Sequence, residues 1–459
     1  MRSLALVLVV GTVAAAPGGV VWAQQQPTLP EFPPIPELPP FGAEPEVAPA
    51  PAVSPAALPP SDLELRLRQT EALVRSSQPL ATLGGYIDFG FFVPSGNGAG
   101  YVQDYAHNAF PEYRDRYGWV FLGDILAPAV NSRGEVADLG DAPGVDRFDS
   151  VNSRGAPGFL LNEVNLTLHS SLGPTALVTG SVNFTPRTGS DFHLGDSFDV
   201  DLAQVEWLPT ASQRTSLFAG KIESVLGIEY RDRKSSTRFG ITPSLIARYT
   251  TGTALGLKVR SKFGTDDWLV IAAALTNGSN TTEQFHFYDE VDSNAGKTLS
   301  GRLSVRLPIG DGIELGASGS YGPQDRSTNN QHPMWFVGGD LLGHLGRVDI
   351  KAQFLHGKAA GDPVQEVYGL ELHGGGYLEV DAMLTHVVGV LGRIEYRDAL
   401  VWQGVDRLYL TKSWRGTVGA RWVVAARAVL KAEYLHNGEF GNVPAVKNDV
   451  FTSSLVLSY

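Results

Sequence analysis

Apolar and polar residues alternate along most of the chain between residues 83 and 459, so that successive side chains fall on opposite faces of a strand. The last segment, 449–459, shows the pattern well. One face carries Phe451, Leu455, Leu457 and Tyr459, and the other carries Thr452, Ser454 and Ser458, with Val456 as the exception. Strands of about 9 to 11 residues with one apolar face are what a transmembrane β-barrel requires.

Sixteen candidate strands can be placed so that short turns and long loops alternate strictly. Short turns mark the periplasmic rim of such a barrel. They are expected near residues 170–174, 209–214, 263–267, 308–312, 343–346, 386–387 and 424–427, with intervening loops mostly of about 12 to 30 residues. The pattern predicts an all-β fold, a 16-stranded antiparallel transmembrane β-barrel with both ends on the same side. A secreted β-sandwich or β-helix would also alternate, but it would not explain the parity of loop lengths.

The N-terminal part of the chain does not follow this pattern. Residues 1–23 combine an early arginine with a short apolar run, which indicates a cleaved signal peptide. Residues 24–60 are rich in Pro and Ala and predict a disordered periplasmic linker. Residues 61–80 predict a short helical segment, with a frayed polar segment as the alternative. The barrel is expected to occupy residues 81–459.

Composition agrees with a barrel and excludes several other classes. The chain has 52 Gly, 8 Trp, 15 Tyr and 21 Phe, and its mean hydropathy is -0.05 because inward polar residues offset outward apolar ones. The absence of Cys excludes disulfides, thiolate metal sites and a cysteine nucleophile. A formal net charge of -12 argues against a nucleic-acid partner. No cofactor or metal is predicted, and the ten His show no zinc spacing.

A barrel of about 16 strands is wide enough for an aqueous channel, so charged residues at inward positions are candidates for its lining. The alternation predicts pore-lining basic residues at Lys221, Lys258, Arg260, Arg302, Arg306, Lys351, Arg393, Arg397, Arg421 and Lys431. It predicts acidic ones at Asp88, Glu163, Glu206 and Glu314, with further inward carboxylates at Asp340, Asp349, Glu379, Asp381, Glu395 and Glu433. Strands five, six and eight offer five basic groups and no acidic one, which suggests a basic wall. For any one residue the alternative is a solvated or paired lumen charge.

The first connection, residues 94–158, is too long for a passive turn, and we expect a long first extracellular loop. One hypothesis is that part of it enters the lumen as a constriction, and the alternative is an extracellular flap. The candidate constriction residues are Arg133, Arg154, Asp138, Asp141, Asp146 and Asp149. These aspartates could instead bind calcium, although the spacing lacks the EF-hand pattern.

A second long loop, residues 223–251, holds a cluster of basic residues. The cluster consists of Arg231, Arg233, Lys234, Arg238 and Arg248. It could gather anions at the channel mouth or bind lipopolysaccharide phosphates. The alternative is a solvated basic loop.

Three short segments, 217–222, 226–230 and 241–244, resemble the phosphate-selective porin O and P group of outer-membrane porins. They read Leu-Phe-Ala-Gly-Lys-Ile, Leu-Gly-Ile-Glu-Tyr and Ile-Thr-Pro-Ser. The resemblance implies a 16-stranded barrel, usually a homotrimer, that conducts small solutes or anions. It does not carry phosphate specificity, because an unbroken arginine ladder cannot be assigned in this chain.

These observations predict a porin in the outer membrane of a Gram-negative bacterium, not an enzyme. Small hydrophilic solutes or ions would diffuse passively through a charge-lined lumen. The expected partners are outer-membrane lipid and lipopolysaccharide, together with the solutes. The alternative is a barrel with a blocked lumen that serves as an adhesin, receptor or scaffold.

Overall fold

The computed structural model describes the barrel and several of its connections. The described residues are 81–94, 102–103, 119–121, 157–184, 198–210, 212–264, 266–278, 294–310, 312–323, 330–361, 369–403, 407–441 and 449–459. The predicted signal peptide, Pro-rich linker and short helical segment lie outside them. So do the candidate constriction residues Arg133, Arg154, Asp138, Asp141, Asp146 and Asp149.

Sixteen long strands make up the sheet. They are β1 (Ala81–Pro94), β2 (Gly158–Ser171), β3 (Ala176–Phe184), β4 (Phe198–Trp207), β5 (Thr215–Glu223), β6 (Thr253–Phe263), β7 (Leu269–Thr276), β8 (Thr298–Leu307), β9 (Ile313–Pro323), β10 (Pro333–Leu345), β11 (Val348–Ala359), β12 (Gly369–Met383), β13 (Val388–Gln403), β14 (Arg407–Ala425), β15 (Ala428–Glu439) and β16 (Val450–Ser458). Two short strands, Val102–Gln103 and Trp119–Phe121, belong to the first connection, and the second pairs in parallel with β14.

The sheet closes on itself. Each long strand pairs antiparallel with the next, and β1 pairs with β16 from Tyr86 opposite Ser458 to Pro94 opposite Val450. Closure removes the unpaired edges that hydrocarbon cannot tolerate. The predicted 16-stranded antiparallel barrel is therefore confirmed.

The outer face is apolar, as alternation requires. Aromatic residues near strand ends, at the level of an interfacial girdle, are exposed on this face. They include Trp207, Trp268, Tyr321, Tyr434 and Tyr459. In the described part of the chain, no helix is long and apolar enough to cross a membrane.

The wall is taller on one side of the barrel. Strands β3 to β8 have 8 to 11 residues, whereas β12, β13 and β14 have 15, 16 and 19. The seven predicted short turns are present between the strands, and the two tightest, Gly346–Arg347 and Ala426–Arg427, have two residues each. Several loops on the opposite rim are shorter than the expected 12 to 30 residues, because the tall strands continue into what the sequence suggested was loop.

Candidate functional site

The connection between β5 and β6, residues 224–252, folds into the lumen and lies against its walls. We call it the lumen loop. It contains a 3-10 turn at Glu229–Asp232 and a short helix, α1, at Ala247–Thr250. Most of its residues from 240 to 252 are buried, although the connection belongs to the outer rim by its place in the chain.

An apolar cluster fixes the lumen loop to the inner face of β10–β13. The loop contributes Leu226, Ile246 and Tyr249, and the wall contributes Met334, Phe336, Leu355, Ala359, Leu370, Leu372, Tyr377 and Ala399. The rings of Tyr249 and Phe336 have centroids 5.4 Å apart. The guanidinium of Arg397 lies 5.4 Å from the Tyr249 ring centroid. Burial of these side chains stabilises the loop inside the barrel.

Carboxylate, amide and hydroxyl oxygens of the wall accept hydrogen bonds from loop amides. Glu433 accepts from the N–H groups of Ile241 and Thr242 at 2.5 and 3.0 Å. Glu395 accepts from Leu245 N at 2.6 Å. Gln353 and Ser318 accept from Ile228 N and Gly227 N at 2.9 and 3.0 Å. A buried N–H without a partner costs free energy, so these side chains make an irregular buried segment tolerable.

Cations of the wall satisfy the loop carbonyls in the same way. The Lys431 ammonium donates to the carbonyl oxygens of Ser235, Arg238 and Gly240 at 2.7, 2.6 and 2.9 Å. Arg415 and Arg393 donate to the carbonyl oxygen of Pro243 at 2.6 and 3.3 Å. Hydrogen bonds from charged donors are stronger than neutral ones, and the loop receives several of them.

The same wall residues are linked to each other by ion pairs. Arg393 contacts Glu395 at 3.0 Å and Glu379 at 3.1 Å, and Arg415 contacts Glu395 at 2.7 Å. Lys351 extends the network to Asp232 of the loop at 2.7 Å. These charges lie deep in the protein and are paired, so they position the loop rather than face water.

A second ion-pair group joins the start of the loop to β8, β9 and β10. Arg302 binds Asp340 at 2.5 Å and Glu314 at 2.8 Å. Glu314 in turn pairs with Arg231 of the loop at 2.9 Å. Burial raises the pKa of the adjacent loop carboxyl, Glu229, although Ser244 donates hydrogen bonds to it at 2.7 and 2.5 Å.

On the opposite side, the loop reaches β1–β4 and the end of β5. Arg233 pairs with Asp201 and, at 3.4 Å, with Glu223. Ser235 donates to Asp88 at 2.5 Å, and Asp88 also accepts a bond from Asn162 at 3.0 Å. The lumen loop therefore spans the barrel from β1–β4 to β9–β15.

Lys234 differs from the other loop cations. Its ammonium donates to Ser181 Oγ at 2.9 Å and to Thr167 Oγ1 at 3.3 Å. Among the residues the structure describes, it forms no ion pair within 4.0 Å. Burial lowers the pKa of Lys234, and the carboxylate of Asp201 opposes this shift only in part.

A cavity of about 20 Å³ lies beside Lys234, between the loop and the wall of β2 and β3. Its lining carries three cations and three carboxyl groups. The lining residues are Glu163, Asn183, Glu229, Asp232, Arg233, Lys234, Arg238, Pro243 and Thr251. This volume is about what one water molecule needs.

The interpretation of residues 223–251 as a basic loop at the mouth was wrong. The loop is inside, and its cations Arg231, Arg233, Lys234 and Arg238 bind the barrel wall or backbone carbonyls. Arg248 is buried as well. Carboxylates and hydroxyls of the wall accept hydrogen bonds from these cations, and these contacts offset the cost of removing the charges from water.

Most predicted pore-lining residues lie on the inner face, but few face open water. Lys351, Arg393, Lys431, Asp88 and Glu314 bind the lumen loop directly, as described above. Arg302 pairs with Glu314, which binds the loop, and Arg397 lies over the ring of Tyr249 in the loop. The guanidinium of Arg421 lies 5.6 Å from the ring centroid of Phe239 in the loop. Glu163 lines the cavity.

The basic wall is smaller than predicted. Lys221 faces outward, because it pairs with Ala203 and Leu255 on the outer face. Arg302 is paired with Asp340 and Glu314. The cations of the predicted wall that keep a partly exposed inner position are Lys258, Arg260 and Arg306. Lys258 and Arg260 lie 4.6 and 5.2 Å from the Phe218 ring centroid, Arg260 pairs with Glu206 at 3.2 Å, and Arg306 is exposed on the inner face of β8.

The error at Lys221 has a physical cause. Phe218 and Ile222 are apolar but face inward, where they pack with Val225 and Ala274 beneath the lumen loop. If the apolar residues of β5 are assumed to face lipid, Lys221 is therefore assigned to the inner face by mistake. The candidate site residues did not include Arg415, Gln353, Ser318 and Asp201, which contact the loop. Arg415 shares its parity with Arg421 and could have been found by extending strand fourteen toward its start.

Comparisons with known proteins add solved structures of low sequence identity. No protein-family model matches the chain, and no curated protein matches it. The chain is similar to the outer membrane channel DcaP of Acinetobacter baumannii, with a TM-score of 0.49, 8% identity, and coverage of 83% of this chain and 97% of that one. Pseudomonas putida OprB gives a TM-score of 0.47, 9% identity, and coverage of 85% and 96%. An anion-selective porin from Comamonas acidovorans gives 0.43, 10% identity, and coverage of 83% and 98%.

The closed barrel, its apolar outer face and the loop held within its lumen define the class of molecule. An even-numbered antiparallel barrel of this kind is an outer-membrane protein with the fold of a porin-like channel. In the described part of the chain, no group of three or more His, Asp or Glu is placed to hold a metal ion.

Proposed function

We propose that the protein is a passive outer-membrane channel for ions and small hydrophilic solutes, narrowed by the lumen loop. The observation that carries this proposal is the course of residues 224–252 across the lumen. The loop leaves a cavity of about 20 Å³ with a charged lining. A lumen narrowed in this way favours small solutes and ions, and lumen charge then governs their preference.

We further propose a modest preference for anions, set by Lys234. Its charged neighbours are mostly neutralised in pairs, as Arg233 with Asp201 and Asp232 with Lys351 show. Lys234 instead binds two hydroxyl groups. Its charge is offset only by carboxylates outside ion-pair distance, including those of Asp201, Glu223 and Glu163. It can therefore act on passing ions in a constriction, where fields are strong.

Reversal potentials in a salt gradient test this preference. Wild-type protein in planar bilayers should show stepwise openings and a potential that favours anions. Lys234→Gln should move the potential toward zero or cation preference. Lys221→Gln removes the same charge from the outer face and should leave the potential unchanged. Equal shifts in both variants would contradict the role of Lys234.

A second function, a barrel with a sealed lumen acting as adhesin, receptor or scaffold, is favoured by one observation. The lumen loop is bonded to walls on both sides, and the cavity beside it has room for about one water molecule. Bilayers that stay silent with correctly folded protein would support this function and contradict the channel.

We also propose that the protein assembles as a homotrimer. We propose, too, that it is related to the phosphate-selective porin O and P group, as the sequence resemblance implies. OmpT of Vibrio cholerae is described in a trimer form. Native mass spectrometry of the detergent-extracted protein tests the assembly. A mass of one chain under conditions that preserve function would contradict the trimer.

A further inference from the structure

One carboxyl group of the lumen loop, that of Glu229, lines the same cavity of about 20 Å³ as Lys234. Glu229 is the first residue of the 3-10 turn. Among the residues that the structure describes, it forms no ion pair within 4.0 Å. Its neighbour in the cavity lining, Asp232, is held by Lys351 at 2.7 Å. No cation at ion-pair distance therefore fixes the charge of Glu229.

Both hydrogen bonds to the Glu229 carboxyl come from Ser244. Its backbone N–H donates to one carboxyl oxygen at 2.7 Å, and its Oγ lies 2.5 Å from the other. A hydroxyl group donates to a carboxylate and accepts from a carboxylic acid, so Ser244 can bond either form. Glu229 can therefore gain or lose a proton without leaving a polar atom unsatisfied and without movement of the loop.

The titratable and charged groups around Glu229 come from the loop and from four strands. They are Asp232, Arg233, Lys234 and Arg238 of the loop, Glu163 of β2, Tyr377 of β12, Arg393 and Glu395 of β13, and, behind Asp232, Lys351 of β11. Burial raises the pKa of Glu229, and the hydrogen bonds from Ser244 and the charge of Arg393 oppose this shift only in part. The carboxyl therefore keeps its proton to a pH above the ordinary glutamic acid value of about 4.3.

We propose that Glu229 is a second selectivity residue beside Lys234 and that its proton sets the strength of the anion preference. This inference rests on the proposed channel function. When Glu229 is protonated, the charge of Lys234 acts on passing ions with one carboxylate fewer nearby. When Glu229 ionises, a negative charge joins the lining of the same cavity and weakens the attraction for anions. The anion preference should therefore be strongest at acid pH and fall as Glu229 loses its proton.

Reversal potentials in a potassium chloride gradient, recorded in planar bilayers between about pH 4 and 8, test the proposal. Lys234→Arg serves as the background, because a guanidinium keeps its charge throughout this range. In this background the ratio of chloride to potassium permeability should fall by about two-fold or more as pH rises. Addition of Glu229→Gln should hold the ratio at its acid value. Glutamine has nearly the size of glutamic acid and can bond Ser244, and unchanged single-channel conductance at acid pH checks that the loop is retained.

Two controls in the same background identify the group that titrates. Glu371→Gln removes a carboxylate from the outer face of β12, and His169→Gln removes an imidazole from the inner face of β2. Both should show the pH dependence of the background. A pH dependence that survives Glu229→Gln, or that disappears with His169→Gln, would overturn the proposal and leave the channel and its anion preference standing. Wild-type bilayers that stay silent, or that show no anion preference at any pH, would overturn the proposed function and this inference with it.

Discussion

The two inner walls of this barrel use charge in different ways. On β9–β15, residues such as Glu395, Arg415 and Lys431 are buried and bind the backbone of the lumen loop. On β4–β6, the pair of Arg260 and Glu206 is partly exposed to the lumen. The first group of charges holds the loop, and the Arg260–Glu206 pair stays partly open to the lumen. A charged residue at an inward position therefore does not by itself mark a filter.

The largest effect should come from breaking the anchoring wall. Glu395→Ala leaves the buried guanidiniums of Arg393 and Arg415 without this shared partner, which should cost about 3–5 kcal/mol in the free energy of unfolding. Denaturant titration of the detergent-solubilised barrel measures it. Glu206→Ala on the other wall breaks an exposed pair and should cost about 0–1 kcal/mol. Similar losses of unfolding free energy in the two variants would show that charges on the two walls contribute alike.

A smaller effect is expected at a glycine of the lumen loop. Gly227 has φ of +72°, and a Cβ there would lie 2.3 Å from Gln353 Nε2. Gly227→Ala should therefore cost more than the roughly 1–2 kcal/mol of a left-handed residue alone. Gly173→Ala is the control, with φ of +79° and nothing within 4 Å of the added Cβ. The first variant should also loosen the loop and raise conductance, whereas the second should not. Equal stability losses and equal conductance would show that Gln353 does not hold the loop.

The smallest effect concerns pH. Burial lowers the pKa of Lys234, and a lysine loses its charge as pH rises through its pKa. Anion preference should accordingly fade at a pH below the ordinary lysine value of about 10.4. Lys234→Arg should keep the preference at that pH, because a guanidinium stays protonated. Reversal potentials recorded from neutral to alkaline pH measure the change, and parallel loss in both proteins would point to another group.

The strands could be predicted from sequence because a lipid-facing wall imposes a period of two on every span. The lumen loop could not, since its partners are set by closure of the barrel. Ile241 and Glu433, for example, are 192 residues apart in the chain. The alternating pattern also gave the wrong face for Lys221, because the apolar residues Phe218 and Ile222 face inward and pack against the loop instead of lipid. Residues 241–244 are part of the resemblance to the porin group, but the resemblance did not indicate that this segment lies inside the lumen.

Thiol modification of a cysteine at position 234 tests the central claim most directly. The chain has no Cys, so Lys234→Cys and Lys221→Cys each carry a single target. Complete labelling with a bulky water-soluble thiosulfonate, checked by mass, should sharply reduce single-channel conductance of Lys234→Cys and leave Lys221→Cys unchanged. A fully labelled Lys234→Cys channel with undiminished conductance would contradict a constriction formed by the lumen loop.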